Sequence, residues 1–120
     1  MKNGNFFRRI RYAASGIRTA FRKEKSFRTQ TLFAAGAVLL LILTRPGALW
    51  SAVVLIMAAL VLAAELINTA LELIVDRLHP EQHPMIGNAK DCAAGAVFIL
   101  SLTSLGVAFA LLWDYFGTMT

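Results

Sequence analysis

Three long uncharged stretches dominate the chain, at residues 29–44, 46–64 and 92–113. A helix that crosses the hydrocarbon core of a bilayer needs about 20 apolar residues, within a range of about 17–25. The second and third stretches reach that length directly. The first does so if it is extended by Phe27 and by an Arg28 that snorkels to the interface. Arg45-Pro46-Gly47 lies between the first two, and a proline followed by a glycine stops a helix, so these two spans form a hairpin. The expected fold is an all-α integral membrane protein, with one domain over residues 1–120. It comprises a surface helix over about 5–26 and membrane helices over about 28–45, 47–78 and 88–115. Composition agrees: 58% of residues are hydrophobic and 16% charged, against roughly 45–50% and roughly 25% in soluble domains. So much apolar surface excludes a disordered chain, and a small soluble domain could not cover it. The single cysteine, Cys92, excludes an intrachain disulfide.

The net charge of +5 could point to nucleic acid, but the bases are not scattered over a surface. Nine of the twelve (Lys2, Arg8, Arg9, Arg11, Arg18, Arg22, Lys23, Lys25 and Arg28) precede residue 29, and the spans behind them exclude a nucleic-acid-binding role. Arg45 alone lies in the first connection, Arg77 and Lys90 flank the second, and none follows Trp113. By the positive-inside rule the N-terminus and the second connection face the cytoplasm and the C-terminus faces outward. The expected location is therefore the bacterial cytoplasmic (inner) membrane. Trp50, Trp113 and Tyr115 suit the outer interface, where amphipathic rings prefer to sit. In the arm, Phe6, Ile10, Ala14, Ile17 and Phe21 recur at helical steps, with Arg8, Arg11, Arg18 and Arg22 on another stripe. That pattern describes a helix lying in the headgroup plane. It serves either as an anchor alone or also as one wall of a site.

The seven acids are Glu24, Glu65, Glu72, Asp76, Glu81, Asp91 and Asp114, and five of them fall between residues 65 and 91. Glu65, Asn68, Glu72 and Asp76 are spaced 3, 4 and 4 apart, so one helix face carries them all. A carboxylate in a span costs on the order of 2.5–3.5 kcal/mol and is by default a functional candidate. The plainer reading is that Glu65 and Asn68 join helices while Glu72 and Asp76 solvate a helix end. Hydroxyls and amides perform that task at lower cost, whereas two carboxylates and an amide are the hard oxygen ligands that magnesium takes. Glu24, the one acid of the basic arm, adds a third oxygen ligand if the arm folds against this helix. Lys90-Asp91 sets a cation able to meet phosphate at the same membrane face. His79 and His83 have a zinc-like spacing, but Pro80 and Pro84 break the helix that such a site needs, so both read as loop residues. No Walker-type phosphate loop and no protein-kinase motif occurs. Three spans cannot enclose a polar site, so an oligomer is expected.

The block from Glu65 to Glu72 (Glu-Leu-Ile-Asn-Thr-Ala-Leu-Glu), then Val75-Asp76-Arg77, His83, Ala89-Lys90-Asp91 and the Ala-Ala-Gly-Ala-Val run at 93–97, resembles the prokaryotic diacylglycerol kinase family, which includes undecaprenol kinases. The arm fits as well, with Gly16-Ile17-Arg18, Glu24 and Phe27-Arg28. The resemblance implies a homotrimer of three-span protomers that transfers the γ-phosphoryl group of magnesium-ATP to a membrane lipid alcohol. It further implies that Glu65 is the general base and Asn68 a positioning residue, with Glu24 and Glu72 as Mg2+ ligands. Lys90 and Asp91 then belong to the nucleotide site, with Tyr12, Glu81 and His83 as further ATP contacts. Thr29-Gln30 stands where diacylglycerol kinases commonly carry Gln-Glu, and the 93–97 run leans toward the undecaprenol branch. Diacylglycerol is the expected acceptor and undecaprenol the alternative. Outside this family, a small transporter or channel subunit with an acidic relay is the competing reading. Its difficulty is that the acids gather at one membrane face.

Overall fold

A computed structural model describes residues 5–119; Lys2, one of the nine bases of the arm, lies outside them. Among the described residues the chain forms four helices and no strand: α1 (Phe6–Lys23), α2 (Lys25–Thr44), α3 (Ala48–Leu78) and α4 (Pro84–Met119). The last three are each long and apolar enough to cross a membrane. α4 extends beyond the apolar run at both ends. Pro84 opens it because proline, lacking an N–H, loses nothing in the first turn of a helix.

Local chemistry sets the boundaries. Asn5 caps α1, its side-chain oxygen accepting from the Arg8 N–H at 2.9 Å. Arg22 and Lys23 in the last turn suit the negative end of the helix dipole. Glu24 is extended (φ −113°, ψ 111°) and breaks α1 from α2. Across that break, Arg28 Nη1 donates to the carbonyls of Phe21 (2.7 Å) and Arg22 (3.1 Å), which have no partner within the helix. Phe27, buried, sets its ring edge-on to Phe21 with centroids 6.4 Å apart. These contacts fix an elbow, and α1 folds back to pack on both α2 and α3. The remainder of α1 leaves Phe6, Phe7, Ile10, Ile17 and Phe21 exposed.

α2 and α3 form a hairpin, and α3 packs most extensively on α4. The inward stripe of α3 comprises Val54, Val61, Glu65 and Thr69, all buried. Most other large apolar side chains of the spans, such as Leu39, Leu43, Phe98, Leu105 and Phe109, are exposed. In water this would be a fatal surface; in lipid it costs nothing. The length of α3, 31 residues, corresponds to about 46 Å, well beyond a hydrocarbon core of about 30 Å. Measured from its start, Glu65 lies about 26 Å along the axis and Glu72 about 36 Å. At the other end, Trp50 Nε1 donates to Asp114 Oδ2 at 3.2 Å, tying the start of α3 to the end of α4.

The hairpin turn contains the two positive-φ residues among those described, Arg45 (φ 46°) and Gly47 (φ 98°, ψ 174°). The conformation of Gly47 belongs essentially to glycine, although the space around it is open. Gly47→Ala is therefore expected to destabilise the chain by about 1–3 kcal/mol through backbone strain alone. Arg45→Asn should be neutral or stabilising, because asparagine tolerates the left-handed region. Unfolding of the detergent-solubilised variants by titration with dodecyl sulfate measures both.

Candidate active site

The acidic face of α3 is one continuous line, graded by burial. Glu65 is only 3% exposed, Asn68 and Glu72 are half-buried, and Asp76 is exposed. Neighbours on the line touch, since Asn68 Nδ2 donates to Glu72 Oε1 at 3.3 Å. Asn68 Oδ1 is buried with no partner among the described residues, so the amide can accept one more donor. Thr69 does not serve the acidic line; its hydroxyl bonds back to the Glu65 carbonyl within the helix at 3.0 Å.

Two residues of α2 hold the Glu65 carboxylate. The Ser26 hydroxyl donates toward both oxygens, at 3.4 Å to Oε1 and 3.2 Å to Oε2, and Gln30 supplies a second donor. Ser26 and Gln30 are four apart, so one face of α2 presents both. Gln30 is itself fixed, because its Nε2 donates to Ser101 Oγ of α4 at 3.0 Å. Below this bond an apolar cavity of about 360 Å³ runs between α2, α3 and α4, lined by residues such as Phe33, Ala37, Leu40, Met57, Val61 and Leu105.

The elbow brings Glu24 to the same place. Burial raises its carboxyl above the ordinary carboxylate range, as do repulsion from and a hydrogen bond with Glu72 and the charge of Glu65; Arg28 opposes them. Two carboxylates so close repel unless a proton or a cation lies between them. Among the described residues, no three His, Cys, Asp or Glu side chains gather into an all-protein metal cage. Magnesium does not require one, since it takes one or two carboxylates and completes its shell with water and substrate phosphates. The Glu24–Glu72 pair fits that chemistry.

Beyond Glu72, Lys90 Nζ pairs with Asp76 Oδ1 at 2.6 Å, joining the end of α3 to the start of α4. Beside it the α3–α4 loop borders an open cavity of about 570 Å³ lined by Asp76, His79, Glu81, His83 and Lys90, among others. The two histidines are loop residues with capping roles. His83 Nδ1 accepts from the Met85 N–H at 3.1 Å, and the His79 ring bonds the Glu81 carbonyl at 3.2 Å. Glu24, Glu65, Asn68 and Glu72 thus come together, with Lys90, Glu81 and His83 around the adjoining cavity. Asp91 is exposed next to Lys90 on α4. Tyr12 is exposed on α1, about 18 Å along the helix from its Glu24 end. Sequence reasoning missed Ser26 and Gln30, and their spacing on the helix after Glu24 was the available signal.

A family model for prokaryotic diacylglycerol kinase matches residues 11–112. The chain belongs to the prokaryotic diacylglycerol kinase family. It is 31% identical to a diacylglycerol kinase of Escherichia coli over 106 residues, covering 88% of this chain and 87% of that one. It is 34% identical to a diacylglycerol kinase of Pseudomonas aeruginosa, covering 82% and 80%. It is also 29% identical to an undecaprenol kinase of Bacillus subtilis, again covering 82% and 80%. Family membership together with three membrane-crossing helices makes the chain a bacterial membrane lipid kinase.

In this kinase the raised Glu24 carboxyl has a consequence for stability. A carboxyl that is harder to ionise when folded favours the fold while it is protonated, and this contribution is lost as pH rises through the raised value. Chelator-treated protein should accordingly melt at a higher temperature in mildly acidic than in neutral buffer. Glu24→Gln should raise the neutral melting temperature and flatten that dependence, which thermal denaturation in detergent measures.

Proposed function

We propose that this kinase transfers the γ-phosphoryl group of ATP to the hydroxyl of diacylglycerol, giving phosphatidic acid, at the cytoplasmic face of the inner membrane. The observation that carries the reading is the graded acidic line of α3. Glu65, buried at the hydrocarbon boundary, can accept a proton from an alcohol that never leaves the lipid. Glu72, nearly two turns closer to water on α3, and Glu24 beside it would meet an arriving nucleotide. Relatives named diacylglycerol kinase at 31–34% identity support this acceptor over undecaprenol, which a 29% relative represents.

Phosphoryl transfer passes through a loose transition state, so catalysis is mostly positioning and charge neutralisation. Glu65 accepts the alcohol proton as the oxygen attacks the γ-phosphorus. Asn68 orients the group between Glu65 and Glu72, using its free Oδ1 and its bond to Glu72. Glu24 and Glu72 would hold magnesium, which would supply charge neutralisation for the phosphate oxygens. Lys90 exchanges Asp76 for phosphate, with Asp91 beside it. Glu81 and His83 contact the nucleotide from the loop cavity, and Tyr12 from α1. The active assembly is a homotrimer with the N-terminus in the cytoplasm and the C-terminus outside. A transporter would need ionisable groups across the whole span, and none lies in the outer halves of α2 and α3.

Radiolabelled ATP offered with diacylglycerol, undecaprenol or ceramide tests the reading. Labelled phosphatidic acid should form fastest, and only with a divalent cation. Glu65→Gln should reduce the rate by about 10²–10⁴-fold while the oligomer persists on gel filtration. A folded Glu65→Gln protein with full activity would overturn the assignment of the base.

A further inference from the structure

A kinase that keeps a base and a bound nucleotide ready between acceptor molecules risks activating water instead. Hydrolysis would join a water oxygen to the γ-phosphorus, break the bond to ADP and pass the proton to the base. In this chain the base already holds a hydroxyl. The Ser26 hydroxyl lies 3.2 and 3.4 Å from the two oxygens of Glu65, at a carboxylate only 3% exposed. Both distances exceed the roughly 2.7–2.8 Å of a strong O–H···O bond, so the contact is weak enough for a substrate hydroxyl to displace. Gln30, the other donor, is anchored to Ser101 and cannot step aside in the same way. Ser26 is in the first turn of α2, directly after the elbow, where the side chain stands at the entrance to the buried carboxylate.

We infer that Ser26 determines specificity by occupying Glu65 until a lipid alcohol replaces it, so that water does not become the phosphoryl acceptor. A hydroxyl oxygen and a water oxygen are of similar size, and removing the side-chain oxygen leaves room for one water against both carboxylate oxygens. That water is untethered and can turn toward the nucleotide. The Ser26 oxygen is held by its Cβ and the backbone of α2, which keeps it from attacking. A lipid alcohol displaces it because apolar chains hold the alcohol at the boundary where Glu65 sits. This inference rests on Glu65 being the base.

The test measures inorganic phosphate released from magnesium-ATP by the full chain in detergent without lipid acceptor, as a ratio to phospholipid formed when diacylglycerol is supplied. Ser26→Ala should raise that ratio severalfold, and Ser26→Thr, which retains the hydroxyl, should keep it low. The double variant Ser26→Ala, Glu65→Gln should lose the added hydrolysis, a result that a merely loosened fold would not give. Should Ser26→Ala fail to assemble, Ser26→Gly removes the same oxygen and is read in its place. An unchanged ratio in a folded hydroxyl-free variant would overturn the inference, as would accumulation of phosphate on Ser26 itself, detected by mass spectrometry. If Glu65→Gln alone still forms phospholipid, the assignment of the base has failed. If it does not, and only the ratio is unmoved, the role of Ser26 alone has failed.

Discussion

A carboxylate at the edge of the hydrocarbon layer must be given hydrogen-bond donors, because lipid supplies none. The arrangement of α2 against α3 answers that requirement for Glu65. Ser26 and Gln30 face it from successive turns, and Gln30 is braced in turn by Ser101 of α4. One buried acid thereby ties three helices together at one end of the bundle. At the opposite end the work falls to the Arg45–Gly47 turn and the Trp50–Asp114 bond.

The second constraint comes with the proposed function, in which the two substrates share no solvent. A rod of 31 residues is longer than the hydrocarbon layer, so its functional groups can be placed at different depths by sequence position alone. Glu65 is buried, Glu72 is half-buried and Asp76 is exposed, all on one face. The elbow at Glu24 completes the set from the other side. Without the bond from Arg28 to the carbonyls of α1, and without Phe27 packed against Phe21, the arm would have no fixed direction and Glu24 no fixed neighbour. Residues that look structural thus determine where an acidic side chain sits.

Much of this was legible in the sequence, for identifiable reasons. Uncharged runs report spans because lipid tolerates few charges, and the spacing of Glu65, Asn68, Glu72 and Asp76 reports a face because helical periodicity is fixed. The elbow was legible only as a condition: Glu24 joins the site if the arm folds back, and nothing in the spacing dictates that it does. Ser26 and Gln30 were harder to read, since their four-residue spacing marks a shared helix face but acquires meaning only from what lies opposite. The same holds for Asp76 and Lys90, fourteen residues apart across a loop whose path depends on Pro80, Pro84 and the capping histidines. The first turn of α4, Pro84-Met85-Ile86-Gly87, escaped hydropathy because Asn88, Lys90 and Asp91 part it from the long apolar run. It is helical because Pro84 and His83 are suited to starting a helix.

On the proposed function, the Asp76–Lys90 pair would bear on how a nucleotide is admitted. Both partners are substantially exposed, and an ion pair in water contributes roughly 0–1 kcal/mol. Such a pair cannot be what holds α3 to α4, which the long apolar contact between those helices does instead. A weak pair is better suited to keeping a cation in place than to bearing load. A triphosphate offers Lys90 more negative charge than one exposed carboxylate does, so the lysine can change partners with little loss. The cavity beside it is lined by two carboxylates, Asp76 and Glu81, by two histidines and by Lys90. With Asp76 paired to Lys90, a triphosphate entering as proposed would still meet Glu81 and the acidic line of α3, whose repulsion a cation between Glu24 and Glu72 would offset. On the proposed function, the acidic line of α3 would thus be inhospitable to a bare nucleotide and hospitable to one that brings its metal.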